Sequence, residues 1–390
     1  MQLSEKMEVI RGIIPQRSLS FYNEAEGRFQ SDIWDELCAG LWKKYSIENR
    51  ITNDALGEMR QTEWNPVFPN IIPQMPGFAY DPTTRQMNEL RYCPRIISEP
   101  SRESFMTAAE AFFHRFDGER IGVHLSGGLD SSLIICLLRH FEIPFCAVGL
   151  ASPRYEFRTE RRIQDIVGAY ATECKLLNME EYPFFGNLDK IPKQQIPDSN
   201  IKMVDADGAV AETFHSMGCS VVLTGQGGDT LLADEVTQET YKKGFNICNE
   251  FCFPWEEDYL YLPKGIRLVS FFSDEEVIDN IVALRIGQKE DPWKLWARRF
   301  FADLLPRELT EFCYCADFNG HSKTGLEDAK PTIKMLFDEA YETFPHSLFS
   351  PENTRHFIET DVFTFEYVEY CDYCTKISIA AWLHSLFRKE

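Results

Sequence analysis

Two short stretches hold residue types that could handle a polyphosphate. SGGLDSS, residues 126–132, sets two glycines, three hydroxyls and one carboxylate between the apolar runs IGVHL and LIICLL. Gly127 and Gly128 let the backbone turn and let a ligand approach the main chain closely. Consecutive amides facing one concavity, with the positive end of a following helix, suit a di- or triphosphate. The hydroxyls of Ser126, Ser131 and Ser132 supply further donors. Asp130 would be repelled by phosphate alone, but with Mg²⁺ bridging carboxylate and phosphate oxygens it becomes useful. A capped helix after a simple turn would need neither the paired glycines nor this density of hydroxyls. The second stretch, VVLTGQGGDTLLAD at 221–234, repeats the arrangement: an apolar run enters a turn with Gly225, Gly227 and Gly228, followed by Asp229. Asp130 and Asp229 at one sheet edge could share metal ions on one nucleotide.

The elements that must position these residues alternate. IGVHL, FCAVGLA, KLLNM and CSVVLTG read as strands, and SSLIICLLRHF, RTERRIQDIVGAYA and VDADGAVAETFHSMG as helices between them. Near-continuous apolar strands interleaved with helices predict an α/β fold, a parallel sheet covered by helices on both faces. Ligands then bind beyond the carboxyl ends of the strands, where both glycine turns fall. Past residue 236 the strand signal fades. DPWKLWARRFFADLLPREL and the segment from Pro351 onward have helical spacing, and their aromatic stripes are expected to be core. Ahead of the alternation, SRESFMTAAEAFFHRF predicts a helix with Ser101 as its cap and Glu103 in its first turn. QTEWNPVFPNIIPQMPGFAYDPTT reads as irregular loops and short strands. The expected organisation is a cap or vestigial domain over 1–100 and a main domain over 101–390, with a nucleotide core at 118–236 and a helical part at 237–390.

Composition narrows the function classes. Of the 390 residues, 40 are Lys or Arg and 61 are Asp or Glu, for a net charge of -21. Such a chain is a poor partner for nucleic acid, whose binders gain affinity through basic patches. No apolar run is long enough to cross a bilayer and MQLSEKMEVI lacks a signal-peptide core, so a cytoplasmic location away from membranes is expected. The 12 cysteines are then expected as free thiols. Cys248 and Cys252, Cys313 and Cys315, and Cys371 and Cys374 form close pairs that could hold zinc, but no standard finger spacing occurs. His124, inside the first strand, reads as a packed core histidine. RYEFRTERR, residues 154–162, is a basic run in an acidic chain. It suits either a phosphate or substrate carboxylate, or a solvated helix face paired with nearby acids.

SGGLDSS resembles the pyrophosphatase loop of the N-type ATP pyrophosphatases. Together with TGQGGD it is similar to the synthetase domain of the asparagine synthetase family, whose fold is the adenine nucleotide alpha hydrolase type. That resemblance implies an ATP- and Mg²⁺-dependent ligase, which adenylates a carboxylate, releases pyrophosphate and lets a nitrogen nucleophile displace AMP. It implies that Ser126, Gly127, Gly128, Asp130, Ser131 and Ser132 hold pyrophosphate and that Asp130 and Asp229 bind Mg²⁺. Leu125, Val148, Thr224 and Gly225 would line the adenine and ribose, and Glu160 falls where the family tends to have an acid.

The departures from that family shape the expected substrate. Position 2 is Gln2 rather than the catalytic cysteine of a glutaminase domain, so ammonia or a substrate amine is the expected nitrogen donor. Gln226 stands where lactam-forming relatives often carry a tyrosine of a base dyad, and it cannot take a proton. GQGGDTLL and LLPRELTEFCYCADFNG resemble stretches of the lasso-peptide cyclases, which implies a peptide or natural-product carboxylate as substrate. Cys315 aligns with a lysine that stabilises transition-state charge in those enzymes, and a thiol cannot replace a preorganised cation. Lys323, with Lys330 near it, is the candidate to take over. A nucleobase- or tRNA-modifying pyrophosphatase and a nucleotide-binding relative without turnover are the rival readings, and a partner protein or a homo-oligomer stays open.

Overall fold

The computed structural model describes residues 91–194, 197, 201–237, 256–311, 318–343 and 347–388, together with backbone strands at 20–23, 28–30, 71–74, 78–81, 86–89 and 245–246. Five strands form the central sheet: β1 (Ile121–His124), β2 (Phe145–Ala151), β3 (Glu173–Asn178), β4 (Val221–Thr224) and β5 (Arg267–Ser270), in the order β5-β4-β1-β2-β3. All neighbours are parallel, with Ile121 opposite Phe145 and Val221, and Val221 opposite Arg267. The carboxyl ends of β1, β2 and β4 therefore share one edge.

Helix α1 (Arg102–His114) precedes β1, and α2 (Leu129–His140), α3 (Arg158–Gly168) and α4 (Val204–Ser216) fall between the strands. The short α5 (Gly228–Leu232) follows β4, and α6 (Glu275–Arg285) follows β5. The period of two in each strand sorts side chains to opposite faces. Ile121, Val123, Phe145, Ala147, Val221 and Leu223 pack with Phe105, Phe112, Leu133, Leu137 and Ile278 on one face. Cys146, Val148, Val222 and Leu268 pack with Val210, Ala211 and Phe214 on the other. The expected doubly covered parallel sheet is thus what the chain forms. Helix α2 is apolar on most faces because it is buried on most faces: Leu133, Ile134, Ile135, Leu137 and Leu138 are all fully buried. Each such side chain contributes on the order of 2 kcal/mol.

Strand β5 is the element that the sequence pattern missed. RLVS is four residues long, lies at the sheet edge and has burial that alternates along the strand, so it lacks the continuous apolar run of the inner strands. Ser101 caps α1 as expected, in a capping box whose second member is Ser104.

The rest is helical: α7 (Leu295–Phe300), α8 (Arg307–Glu311), α9 (Asn319–Asp328), α10 (Lys330–Thr343), α11 (Pro351–Glu359) and α12 (Tyr367–Phe387). Leu326, Ile333, Leu336, Phe357, Ile377 and Trp382 build a further core with Met179, Phe184 and Leu188 from the segment after β3. The aromatic stripes are core only in part: Phe301, Phe357, Phe365, Tyr373 and Trp382 are buried, whereas Trp293, Phe363 and Tyr367 are exposed. Before the sheet, Ser20–Asn23 lies antiparallel between Arg28–Gln30 and Ile71–Gln74, and Phe78–Asp81 pairs with Gln86–Glu89. Just beyond these strands, Tyr92 and Arg95 both bond the Asp279 carboxylate of α6, each at 2.6 Å. Among the described residues no helix is long and apolar enough to cross a membrane.

Candidate active site

Both glycine turns sit at the carboxyl edge of the sheet, on the neighbouring strands β1 and β4. After β1 the chain passes through Leu125 to Gly127, whose φ of +84° lies in the left-handed region. A Cβ there would come within 2.7 Å of the Glu160 carbonyl oxygen, so glycine is needed both for the turn and for the approach of α3. Gly128 N–H donates to Ser126 Oγ at 3.1 Å, and Ser126 Oγ lies 2.9 Å from Ser131 Oγ. The Gln164 amide donates to Leu125 O and Leu150 O at 3.1 and 2.8 Å, tying the turn to the end of β2. Ser132 is fully buried and its Oγ has no hydrogen-bond partner.

The second turn presses against the first. A Cβ on Gly228 would stand 2.5 Å from Asp130 Cγ, and one on Gly225 would stand 2.9 Å from Ser131 N. The two turns are thus one site with Asp130 between them. Fully buried Arg285 holds the second turn from beneath: its guanidinium donates to Leu231 O and, at 2.8 Å, to Asp234 O. The Leu231 carbonyl lies in the last turn of α5, where a helix leaves acceptors unsatisfied, and that of Asp234 just past its end.

A lysine joins the two carboxylates. Lys294 Nζ is 2.5 Å from Asp130 Oδ2 and 2.6 Å from Asp229 Oδ1. The Lys294 side chain is 10% exposed and that of Asp130 17%, whereas that of Asp229 is 89% exposed and faces solvent. Lys294 takes a φ of +53°, rare for a non-glycine residue. Its N–H donates to Asp291 O at 2.8 Å, and Asp291 N–H donates to Ala233 O at 2.6 Å, so this turn hangs from the end of α5. Burial works against the Lys294 charge, yet the two carboxylates raise its pKa above the usual lysine value. Burial also raises the Asp130 pKa, against the pull of Lys294. With both acids ionised, two negative charges meet one positive charge, and Asp130 Oδ1 is buried with no partner. That surplus charge and that oxygen are what a hard divalent cation takes. Among the described residues no group of three His, Cys, Asp or Glu side chains could hold a metal by itself. Phosphate oxygens would have to complete the shell of any ion held by these two acids.

Residues 114–244 match the family described as asparagine synthase. This stretch is a synthetase domain of the asparagine synthetase family. It contains both glycine turns and both site acids, and the family implies the use of ATP. No curated protein matches the chain. Among solved structures the chain is similar to an NMN synthetase from Francisella tularensis, with 12% identity over 58% of this chain and 94% of that one and a TM-score of 0.25. It is similar also to an NAD⁺ synthetase from Burkholderia pseudomallei, with 16% identity over 60% of this chain and 90% of that one and a TM-score of 0.25.

In the synthetase domain Ser126, Gly127, Gly128, Asp130, Ser131, Ser132, Thr224, Gly225 and Asp229 come together at the sheet edge. Leu125 and Val148 are buried there side by side, and Leu125 N–H donates to Val148 O at 2.8 Å. Gln226 accepts the Ser270 hydroxyl through its main-chain oxygen at 2.7 Å. Lys323 is elsewhere: its Nζ donates to Phe363 O and Phe365 O at 3.2 and 3.3 Å. Lys330 likewise bonds Glu327 and Thr360 O. The structure brings neither lysine to the acid pair, and Lys294 fills that place. Cys315 lies outside the described residues, as do Cys248, Cys252 and Cys313. Cys371 and Cys374 are free thiols on α12, and burial pushes Cys374 up to about 12. His124 is half-buried at the end of β1 rather than part of the core, 2.6 Å from Tyr261 Oη and stacked on Phe214.

Sequence reasoning missed Lys294 and Arg285. The Asp-Pro step at 291–292 marks a turn that could have separated Lys294 from the helical pattern. Nothing in the spacing of Arg285 marks it.

Proposed function

We propose that the chain is an ATP- and Mg²⁺-dependent ligase that adenylates a carboxylate and then forms an amide. The observation that carries this reading is the contact of the two glycine turns around Asp130, with Lys294 bridging Asp130 and Asp229. The turn at 126–128 offers backbone amides and hydroxyls to the leaving pyrophosphate, helped by the amino end of α2. Ser132 Oγ, buried and unpartnered, is a further donor on that side. Lys294 supplies a fixed positive charge beside the phosphates. Asp130 and Asp229 would hold Mg²⁺, which when bound neutralises the charge that develops on pyrophosphate.

The chemistry has two steps. A carboxylate oxygen attacks the α-phosphorus and the bond to pyrophosphate breaks. A nitrogen nucleophile, ammonia or a substrate amine, then attacks the acyl carbon and AMP leaves. The protein's part in the first step is to hold the carboxylate in line with the leaving group. The carboxylate is assigned to a peptide or natural product, on the resemblance of GQGGDTLL to peptide-cyclising relatives. Residues 1–100 are assigned as a cap or vestigial domain and 101–390 as the catalytic domain.

The test is ATP binding and pyrophosphate release. Asp130→Asn and Asp229→Asn are expected each to weaken Mg²⁺-dependent ATP binding by about 10–100-fold, the cost of losing a charge-assisted contact. Calorimetric titration of ATP with and without Mg²⁺ reads this directly. Full ATP affinity in both variants would reject the assignment of the site.

A further inference from the structure

The basic run at 154–162, which the nucleotide site does not use, lines a second cleft on the same sheet edge. Where β2 runs into α3, Ser152, Arg154, Tyr155, Arg158, Arg161 and Arg162 surround a space of about 460 Å³, with Asp165 as the one acid in its lining. That size falls in the range of small-ligand sites. The helix carrying three of these arginines is the one whose Glu160 main chain touches Gly127 of the phosphate turn. The cleft is thus one strand away from the site of adenylation.

The four guanidinium groups are not equivalent. Arg162 is committed to Glu308 of α8 at 2.7 Å, a structural tie between helices. Arg154 and Arg161 reach acids only loosely, Glu180 at 3.8 Å and Asp165 at 3.6 Å. Exposed pairs of this kind are worth about 1 kcal/mol or less, so an incoming anion can replace them. Arg158 contacts no acid among the described residues. Its Nη1 donates to Tyr155 O at 3.1 Å, and its guanidinium stacks 4.0 Å from the Tyr155 ring, which is itself 76% exposed. One turn of chain thus holds a guanidinium in place with most of its donors unspent. In a protein of net charge -21 this is a local reversal of sign.

We propose that this cleft binds a carboxylate group of the substrate, with Arg158 as its principal contact and Arg154 and Arg161 as its flanks. The inference rests on the amide-ligase reading, which requires an acidic substrate beside the nucleotide. Carboxylate is favoured over phosphate because the phosphate-binding parts are already gathered at 126–132 and around Lys294. A planar guanidinium also matches a carboxylate through two parallel hydrogen bonds.

The test titrates the full chain with the peptide tri-glutamate and, separately, with inorganic pyrophosphate. Tri-glutamate is expected to bind wild-type protein with an affinity that falls as salt is added. Arg158→Ala should weaken it at least tenfold, and Arg158→Lys should restore only part, since an ammonium cannot form the fork. ATP binding by the Arg158→Ala protein reports that the fold is intact. The proposal is overturned if wild-type protein does not bind tri-glutamate at millimolar concentration, or if Arg158→Ala binds it as well as wild type does. It is overturned too if pyrophosphate binding, rather than tri-glutamate binding, depends on Arg158, since the cleft would then be a phosphate site. Loss of the nucleotide reading would show separately, as ATP affinity unchanged by Asp130→Asn.

Discussion

Lys294 does at this site what two acids cannot do for each other. Asp130 is largely buried, and an ionised carboxyl there without a counter-charge would be costly. The ammonium between Asp130 and Asp229 makes the unliganded site tolerable, and it occupies space that a metal ion would otherwise approach. Two effects of opposite sign are expected from Lys294→Met. Adenylation should slow by at least about tenfold through loss of a fixed charge beside the phosphates. Affinity for Mg²⁺ without nucleotide should rise, because the competing cation has gone. Pyrophosphate release and a divalent-ion titration read the two separately, and a fall in metal affinity would reject this role. That Asp130, Asp229 and the glycines fall in two turns was legible in the sequence because glycines, hydroxyls and a carboxylate stand together there between apolar runs. Lys294 was not, since DPWKLWARRF has the spacing of a helix that would send this lysine to solvent. Only the left-handed φ and the bonds from Asp291 turn it inward.

The second glycine turn is held mainly from below. Helix α5 has only five residues, too few to be stable from its own hydrogen bonds. The Leu231 carbonyl in its last turn and the Asp234 carbonyl just past it accept from Arg285, on α6, which is fully buried and follows the strand that the sequence pattern missed. β5 and α6 therefore place Asp229 although neither contributes a residue to the site. Arg285→Leu removes both donors and leaves two carbonyls buried, and should destabilise the protein by about 2–4 kcal/mol. Chemical denaturation measures that change, and ATP titration of the still-folded variant should show weaker binding because the second turn has lost its support. Unchanged ATP affinity would mean that α5 positions itself. The inner strands and α2 were legible as runs of apolar residues. Short edge elements such as RLVS carry too little pattern, and their pairing is decided by the strands already in place.

Across the whole molecule, burial and charge pull the response to pH in different directions. His124 sits half-buried at the carboxyl end of β1, bonded to Tyr261 and stacked on Phe214, and burial pushes its pKa down to about 4. An unfolded chain returns it to about 6.5. Between those values the unfolded state binds more protons than the folded one, so stability falls as pH drops from about 6.5 toward 4. The contribution reaches at most about 3 kcal/mol at the low end of that window. Asp130 acts oppositely: its raised pKa means that its burial as an anion costs stability, and that cost is relieved as pH falls through the folded value. The self-repulsion of a chain at -21 is relieved over the same range as acids take up protons. His124→Gln should therefore separate the terms. In equilibrium unfolding followed from pH 7 to pH 4, the variant should lose less stability than wild type below about pH 6.5. Asp130→Asn, already neutral, should lose more than wild type across the acid range, because it no longer gains from protonation there. Parallel pH profiles for wild type and His124→Gln would show that the histidine is not the acid-sensitive element of this fold.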